Sequence, residues 1–130
     1  MRPMPMLTCT SVSGSSNWYQ KALGLVSAHG GDEYEMLTAG VDGPLVLQLH
    51  ELDAHEHRHL VREGQPLGGN GVAVWFETDD FASIAERIRT AGAEILEDVH
   101  VNPLANHLEV WLRDPDGYVV VVSSAYGDVG

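Results

Sequence analysis

Side chains that could carry chemistry alternate along the segment from His107 to Arg113. In an extended strand His107, Glu109, Trp111 and Arg113 would share one face, because successive side chains point to opposite sides of a strand. Together with His50, from an earlier alternating segment, His107 and Glu109 would form a set of two histidines and one carboxylate. Such a set suits Fe(II), Mn(II) or Zn(II). The same three groups would also serve as hydrogen-bonding groups in a pocket without metal, which the small number of ligands favours, and both hypotheses stay open.

The alternation also predicts which other side chains accompany them. Gln48 lies on the face of His50, and Trp75 lies on the corresponding face of a strand predicted over 72–78. Trp75 and Trp111 would provide flat apolar walls for a planar or aromatic ligand, although tryptophan is also common in ordinary cores. We therefore predict the following ligand-binding residues: Gln48, His50, Trp75, Glu109 and Trp111.

A second chemical pattern lies near the middle of the chain. The segment from His55 to His59 matches His-Glu-x-x-His, in which two histidines one helical turn apart bind zinc and the glutamate acts as a base. That motif requires a buried helix beneath a cleft, and few apolar residues precede the glycine at position 64. The segment therefore favours an exposed polar helix that binds nickel or zinc at most adventitiously, rather than a protease site.

The elements that must position these residues occur twice in the same order. Residues 15–51 and 79–124 each run helix, glycine, strand, strand, glycine-containing turn and strand. Two copies of one supersecondary unit in a short chain usually pack face to face, which would place a pocket between them. We expect a single domain over 1–130, with module one at about 1–52, a linker at 53–71 and module two at about 72–124.

Capping signals define the two predicted helices. The first spans Asn17–Leu23, after a serine-rich break at 13–16 and before Gly24. The second spans Phe81–Thr90, between an Asp-Asp cap and a glycine stop. Strands are expected on both sides of each helix, among them one over 93–99 and one over 107–113.

Charge and cysteine content exclude several classes of function. The formal net charge is −12, and only 7 lysines and arginines could contact phosphates, so we expect no nucleic-acid binding. No apolar stretch approaches the length of a membrane span, and the N-terminal residues lack the apolar core of a signal peptide. Cys9 is the single cysteine, which excludes an internal disulfide. These features predict a cytoplasmic protein that does not associate with membranes.

Three segments, in order, resemble the vicinal oxygen chelate superfamily, the group of glyoxalases, bleomycin-resistance proteins and extradiol dioxygenases. The most specific is WLRDPDGYVVVV at 111–122, which is similar to that family's strand, Asp-Pro-Asp-Gly turn and strand. NWYQKALGL at 17–25 resembles its first helix, and VWFETDDF at 74–81, with Ala-Gly-Ala at 91–93, resembles the start of its second module. The resemblance implies an α+β fold of two βαβββ modules forming an incomplete barrel around a pocket, and frequently a homodimer.

The resemblance also implies where a metal would bind. Enzymes of the superfamily usually hold a divalent metal with His, Gln or Glu from four strands, where it acts as a Lewis acid. The corresponding positions here fall at Met6 or Thr8, at Gln48 or His50, at Ala73 and at Val121. Alanine and valine have no donor atom, so we expect the usual metal site and glyoxalase I activity to be absent.

The main functional hypothesis is therefore a glyoxalase/bleomycin-resistance-like protein that binds a small organic ligand in the inter-module pocket without the usual metal. A competing hypothesis is a metal-dependent lyase or dioxygenase that uses the displaced set of His50, His107 and Glu109. A third is a dimer that sequesters a drug, in which case the acidic charge would attract a cationic molecule.

Overall fold

The computed structural model describes residues 1–52 and 59–130. They form two compact units, Met1–Leu67 and Gly68–Gly130. Each unit has the element order strand, helix and three strands, and each contains one open four-stranded sheet. The predicted α+β class with two βαβββ modules is confirmed. Most of the His-Glu-x-x-His segment and the start of the predicted linker helix lie at 53–58, outside the described residues.

The first unit places its strands in the sheet order β1-β4-β3-β2. Strand β1 runs parallel to β4, and the other neighbours are antiparallel. Leu37, Leu47 and Leu49 are fully buried and occupy one face of this sheet. The elements are β1 (Met6–Cys9), α1 (Val12–Leu23), β2 (Val26–Ser27), β3 (Tyr34–Thr38) and β4 (Leu45–Glu51).

Helix α1 begins earlier than the sequence predicted. Its N-cap is Ser11, whose hydroxyl accepts a hydrogen bond from the backbone N–H of Gly14, and the predicted break at 13–16 is helical. The prediction was wrong because Ser16 is buried and donates a hydrogen bond of 2.9 Å to Glu35, so a tertiary contact outweighs the weak helix propensity of serine. The predicted stop is confirmed, since Gly24 has a left-handed φ of 71°.

The second unit repeats the arrangement, with the sheet order β5-β8-β7-β6. Strand β5 runs parallel to β8, and β8-β7 and β7-β6 are antiparallel pairs. The predicted second helix is confirmed: Asp80 accepts a hydrogen bond from the N–H of Ser83, and Gly92 ends the helix. The elements are β5 (Ala73–Glu77), α2 (Phe81–Ala91), β6 (Glu94–Asn102), β7 (His107–Arg113) and β8 (Val119–Ser123).

The strand register of the second sheet separates an apolar face from a polar and aromatic one. Val110, Leu112, Val120 and Val122 are buried on the apolar face. Within 1–52 and 59–130, neither helix is long and apolar enough to cross a membrane. We call the opposite face the open face; strand pairing and alternation place on it Trp75, His100, Asn102, His107, Glu109, Trp111, Val121 and Ser123.

Candidate functional site

The carboxylate of Glu109 lies at the centre of the open face and accepts hydrogen bonds from four side chains. Oε1 is 3.0 Å from the indole nitrogen of Trp111 and 3.1 Å from Nε2 of His100. Oε2 is 2.8 Å from Nε2 of His107 and 3.3 Å from the amide nitrogen of Asn102. Two bonds to each oxygen match the acceptor capacity of a carboxylate, so these donors hold Glu109 in one position. We call these five residues the Glu109 cluster.

Hydrogen bonding determines the charge of Glu109. Burial raises the pKa of this carboxyl, but the hydrogen bonds from His107, Trp111, Asn102 and His100 outweigh burial and lower the pKa from 4.5 to about 2. Glu109 is therefore a carboxylate throughout the physiological pH range. A buried carboxylate with this many donors is stabilised in its charged form, since protonation would remove acceptor capacity from at least one bond.

His100 differs from an ordinary surface histidine because both of its ring nitrogens face oxygen atoms that can only accept. Nδ1 lies 2.7 Å from the backbone carbonyl of Asp98, and Nε2 lies 3.1 Å from Glu109. Only the imidazolium can donate to both. The carbonyl of Asp98 contributes most to a raised pKa of His100; burial opposes it, and Glu109 and Glu97 add to the increase.

A second tryptophan, Trp75, lies next to Trp111 of the Glu109 cluster. Trp75 donates its indole N–H to the hydroxyl of Ser123 over 2.8 Å, and Trp111 donates its own to Glu109. The two rings meet edge to face, with centroids 6.0 Å apart and an interplanar angle of 82°. Val121, which pairs with both residues in the sheet, is fully buried, whereas Trp75 remains 45% exposed.

In the first unit, the predicted residues Gln48 and His50 lie together on β4. Gln48 accepts a hydrogen bond of 2.6 Å from the hydroxyl of Tyr34 and donates one of 3.0 Å to the carbonyl of Met4. Nδ1 of His50 donates to the carbonyl of Glu51 over 2.9 Å, and its ring lies 6.3 Å from that of Tyr34. Both side chains are thus oriented by local hydrogen bonds.

A second buried carboxylate, Glu35, lies on the core face of the first sheet. It accepts hydrogen bonds from the hydroxyls of Ser16 and Ser27 and from the backbone N–H groups of His29, Gly30 and Met36. Burial raises the pKa of Glu35, but the donors outweigh this effect and lower it. Sequence reasoning did not single out Glu35, because it occupies a strand position that otherwise alternates regularly.

Of the four positions that correspond to the superfamily's metal ligands, two cannot bind a metal. Ala73 and Val121 offer no donor atom, and Val121 is fully buried in the sheet. In the displaced set, the two oxygens of Glu109 already accept four hydrogen bonds, and one of the four donors is Nε2 of His107. Among the described residues, no group of three or more His, Cys, Asp or Glu side chains is arranged to hold a metal ion.

The structure brings together four of the predicted site residues in the second unit: Trp75, His107, Glu109 and Trp111. Sequence reasoning missed His100, Asn102 and Ser123. The strand predicted over 93–99 ended too early, whereas β6 continues to Asn102, which pairs with His107. The alternation of valine with polar residues from 99 to 102 was a signal that could have extended the strand.

Known protein families and structures share the fold of this chain. The model of the Glyoxalase/Bleomycin resistance protein/Dioxygenase superfamily matches residues 4–122. No curated protein matches the chain. TioX from Micromonospora sp. ML1 is 16% identical, with a TM-score of 0.67 over 95% of this chain and 98% of that chain.

Two further crystal structures have the same fold. A glyoxalase-related enzyme from Fulvimarina pelagi is 16% identical, with a TM-score of 0.72 over 95% of this chain and 87% of that chain. A glyoxalase/bleomycin resistance protein/dioxygenase family enzyme from Burkholderia phytofirmans PsJN is 14% identical, with a TM-score of 0.72 over 94% and 96%. At these identities the likeness shows the fold alone, because one fold hosts many functions.

Proposed function

Because the chain belongs to the Glyoxalase/Bleomycin resistance protein/Dioxygenase superfamily, we propose that it binds a small planar organic molecule without a metal in the superfamily's usual site. The open face of the second sheet supplies the aromatic surface through Trp75 and Trp111, with Glu109 holding Trp111 in place. Gln48 and His50 of the first unit stay sequence-based predictions of ligand-binding residues, and the proposal depends on the second unit alone.

The observation that carries the proposal is the fixed and exposed ring of Trp75. Its indole N–H, the one polar group of the side chain, donates to Ser123, while the residue stays 45% exposed. The ring of Trp111 meets the same ring edge to face. Binding of a flat molecule to a rigid apolar surface is favourable because it removes apolar area from water. The rigid ring also loses little conformational entropy on binding.

The charge of the protein favours one class of planar molecule. With a formal net charge of −12, its electrostatic field attracts cations and repels anions. A cationic aromatic ligand therefore fits this protein better than an anionic one. This preference also supports the hypothesis that the protein sequesters a drug.

Fluorescence titration with proflavine, a planar cation, and with naphthalene-2-sulfonate, a planar anion, tests the proposal. Proflavine is expected to bind more tightly, with the difference shrinking as salt screens the field. Trp75→Ala should weaken proflavine binding about tenfold, since stacking on an aromatic ring contributes on this scale. The matched control Trp18→Ala removes a tryptophan of helix α1 and should leave the Kd unchanged. Absence of binding, or equal losses in the two variants, would contradict the proposal.

A further inference from the structure

The hydrogen bond between His107 and Glu109 defines the tautomer of the histidine ring. Nε2 lies 2.8 Å from Oε2 of Glu109, and a carboxylate oxygen can only accept. Nε2 must therefore carry the proton. In the neutral ring the other nitrogen, Nδ1, then has a lone pair and acts as an acceptor.

This second nitrogen has no hydrogen-bond partner among the described residues, and it is not completely shielded from solvent. The hydrogen bonds of His107 within the described residues all involve Nε2, and Nδ1 has no partner there. Every described side-chain nitrogen or oxygen that is shielded from solvent does have a partner. Nδ1 is therefore not completely shielded from solvent, even though the residue as a whole is buried.

The imidazole ring of His107 lies next to the indole ring of Trp75. The ring centroid of His107 lies 6.0 Å from that of Trp75, at an interplanar angle of 50°. A planar molecule lying on Trp75 would therefore bring its edge close to His107. The carboxylate of Glu109 polarises the imidazole from the opposite side, which strengthens Nδ1 as an acceptor.

We infer that Nδ1 of His107 accepts a hydrogen bond from an O–H or N–H group on the edge of the bound molecule, so that the ligand class is an aromatic ring with a phenol-type hydroxyl or a ring N–H. This inference rests on the proposed function, because it requires a planar ligand on Trp75. It adds a specificity that the aromatic surface lacks, since stacking alone accepts any flat molecule. His107 thus favours planar ligands that have an O–H or N–H donor over those that have none.

A pair of probes that differ in one donor tests the inference. The first is 2-naphthol, and the second is 2-methoxynaphthalene, which has the same ring system but no O–H. Wild-type protein should bind 2-naphthol roughly threefold to tenfold more tightly at pH 8, the range that one net hydrogen bond provides. Long-range ¹⁵N NMR should show the Nε2–H tautomer of His107 and a shift of its Nδ1 resonance on addition of 2-naphthol only.

The substitution His107→Gln separates the two roles of the ring. A glutamine amide N–H can occupy the position of Nε2 and donate to Glu109, but it leaves no acceptor where Nδ1 lies. The preference for 2-naphthol should disappear in this variant and persist in the control His29→Gln. If the wild type binds both probes equally and Nδ1 does not shift, the inference is overturned while the proposed function stands. If neither probe binds while proflavine does, the inference is overturned and the proposed function stands; if proflavine does not bind either, both fail.

Discussion

Replacing the carboxylate of Glu109 with an amide, Glu109→Gln, should change how stability depends on pH. The folded-state pKa of Glu109 is about 2, against an ordinary value of 4.5. A lowered pKa means that the carboxylate stabilises the fold above the unfolded-state pKa, and that this stability is lost as pH falls through the folded-state value. The affected window therefore lies between about pH 4.5 and pH 2.

The size of the effect follows from the same two values. A difference of about 2.5 pKa units corresponds to about 3 kcal/mol in the free energy of unfolding, of which about 2 kcal/mol is lost by pH 3. Solvent screening reduces this figure little, because the side chain is only 5% exposed. Glu109→Gln lacks the titrating group, so the stability gap between wild type and variant should narrow by about 2 kcal/mol between pH 5.5 and pH 3.

Urea unfolding followed by tryptophan fluorescence measures this gap at both pH values. Both lie below the ordinary histidine pKa of about 6.5, which limits the contribution of histidine titration. The control Glu63→Gln replaces an exposed carboxylate, and its gap from wild type should be the same at the two pH values. A gap for Glu109→Gln that stays constant would refute the view that the carboxylate is held charged by its four donors.

Three further predictions concern stability, assembly and metal content. Ser16→Ala removes one donor from the buried Glu35 and should lower the free energy of unfolding by about 1–2 kcal/mol in urea, since hydrogen bonds to charged groups are the stronger ones; no loss would contradict this role. Light scattering at micromolar concentration should give twice the chain mass, because the sheets have edge strands that a symmetric partner would cover, and a monomer mass would count against it. Elemental analysis of protein purified without a histidine tag should find no stoichiometric metal; one equivalent per chain, lost on His107→Ala, would instead favour the metal-dependent lyase or dioxygenase hypothesis.

The site residues on β7 could be predicted because they depend only on alternation within one strand. Once His107–Arg113 was assigned as a strand, the shared face of His107, Glu109 and Trp111 followed from geometry. The partners of Glu109 on β6 depended instead on where a neighbouring strand ends, and strand ends are poorly specified by local sequence. His100 and Asn102 could be identified as partners of Glu109 only from the register of the β6–β7 hairpin.

The start of helix α1 was harder to predict from the sequence, because one of the contacts that stabilise it involves a residue far along the chain. Ser-Gly-Ser-Ser at 13–16 is typical of a break, and local propensity alone favours a cap there. The helix extends through these residues because Ser11 caps it and because Ser16 donates a hydrogen bond to Glu35, nineteen positions away. No local pattern contains that information, since a carboxylate at a core position of a strand looks like an ordinary surface glutamate until its donors are known.

Comparison of the two buried carboxylates explains why only one of them is assigned to a site. Three of the donors to Glu35 are backbone N–H groups, and this residue lies on the core face of its sheet, where it fixes the turn between β2 and β3. All four donors to Glu109 are side chains, on the face away from the apolar core of its sheet. Backbone donors are supplied by the fold itself, whereas orienting four side chains costs additional conformational entropy. That cost has a physical rationale if the orientation of these aromatic and imidazole rings is what the ligand recognises.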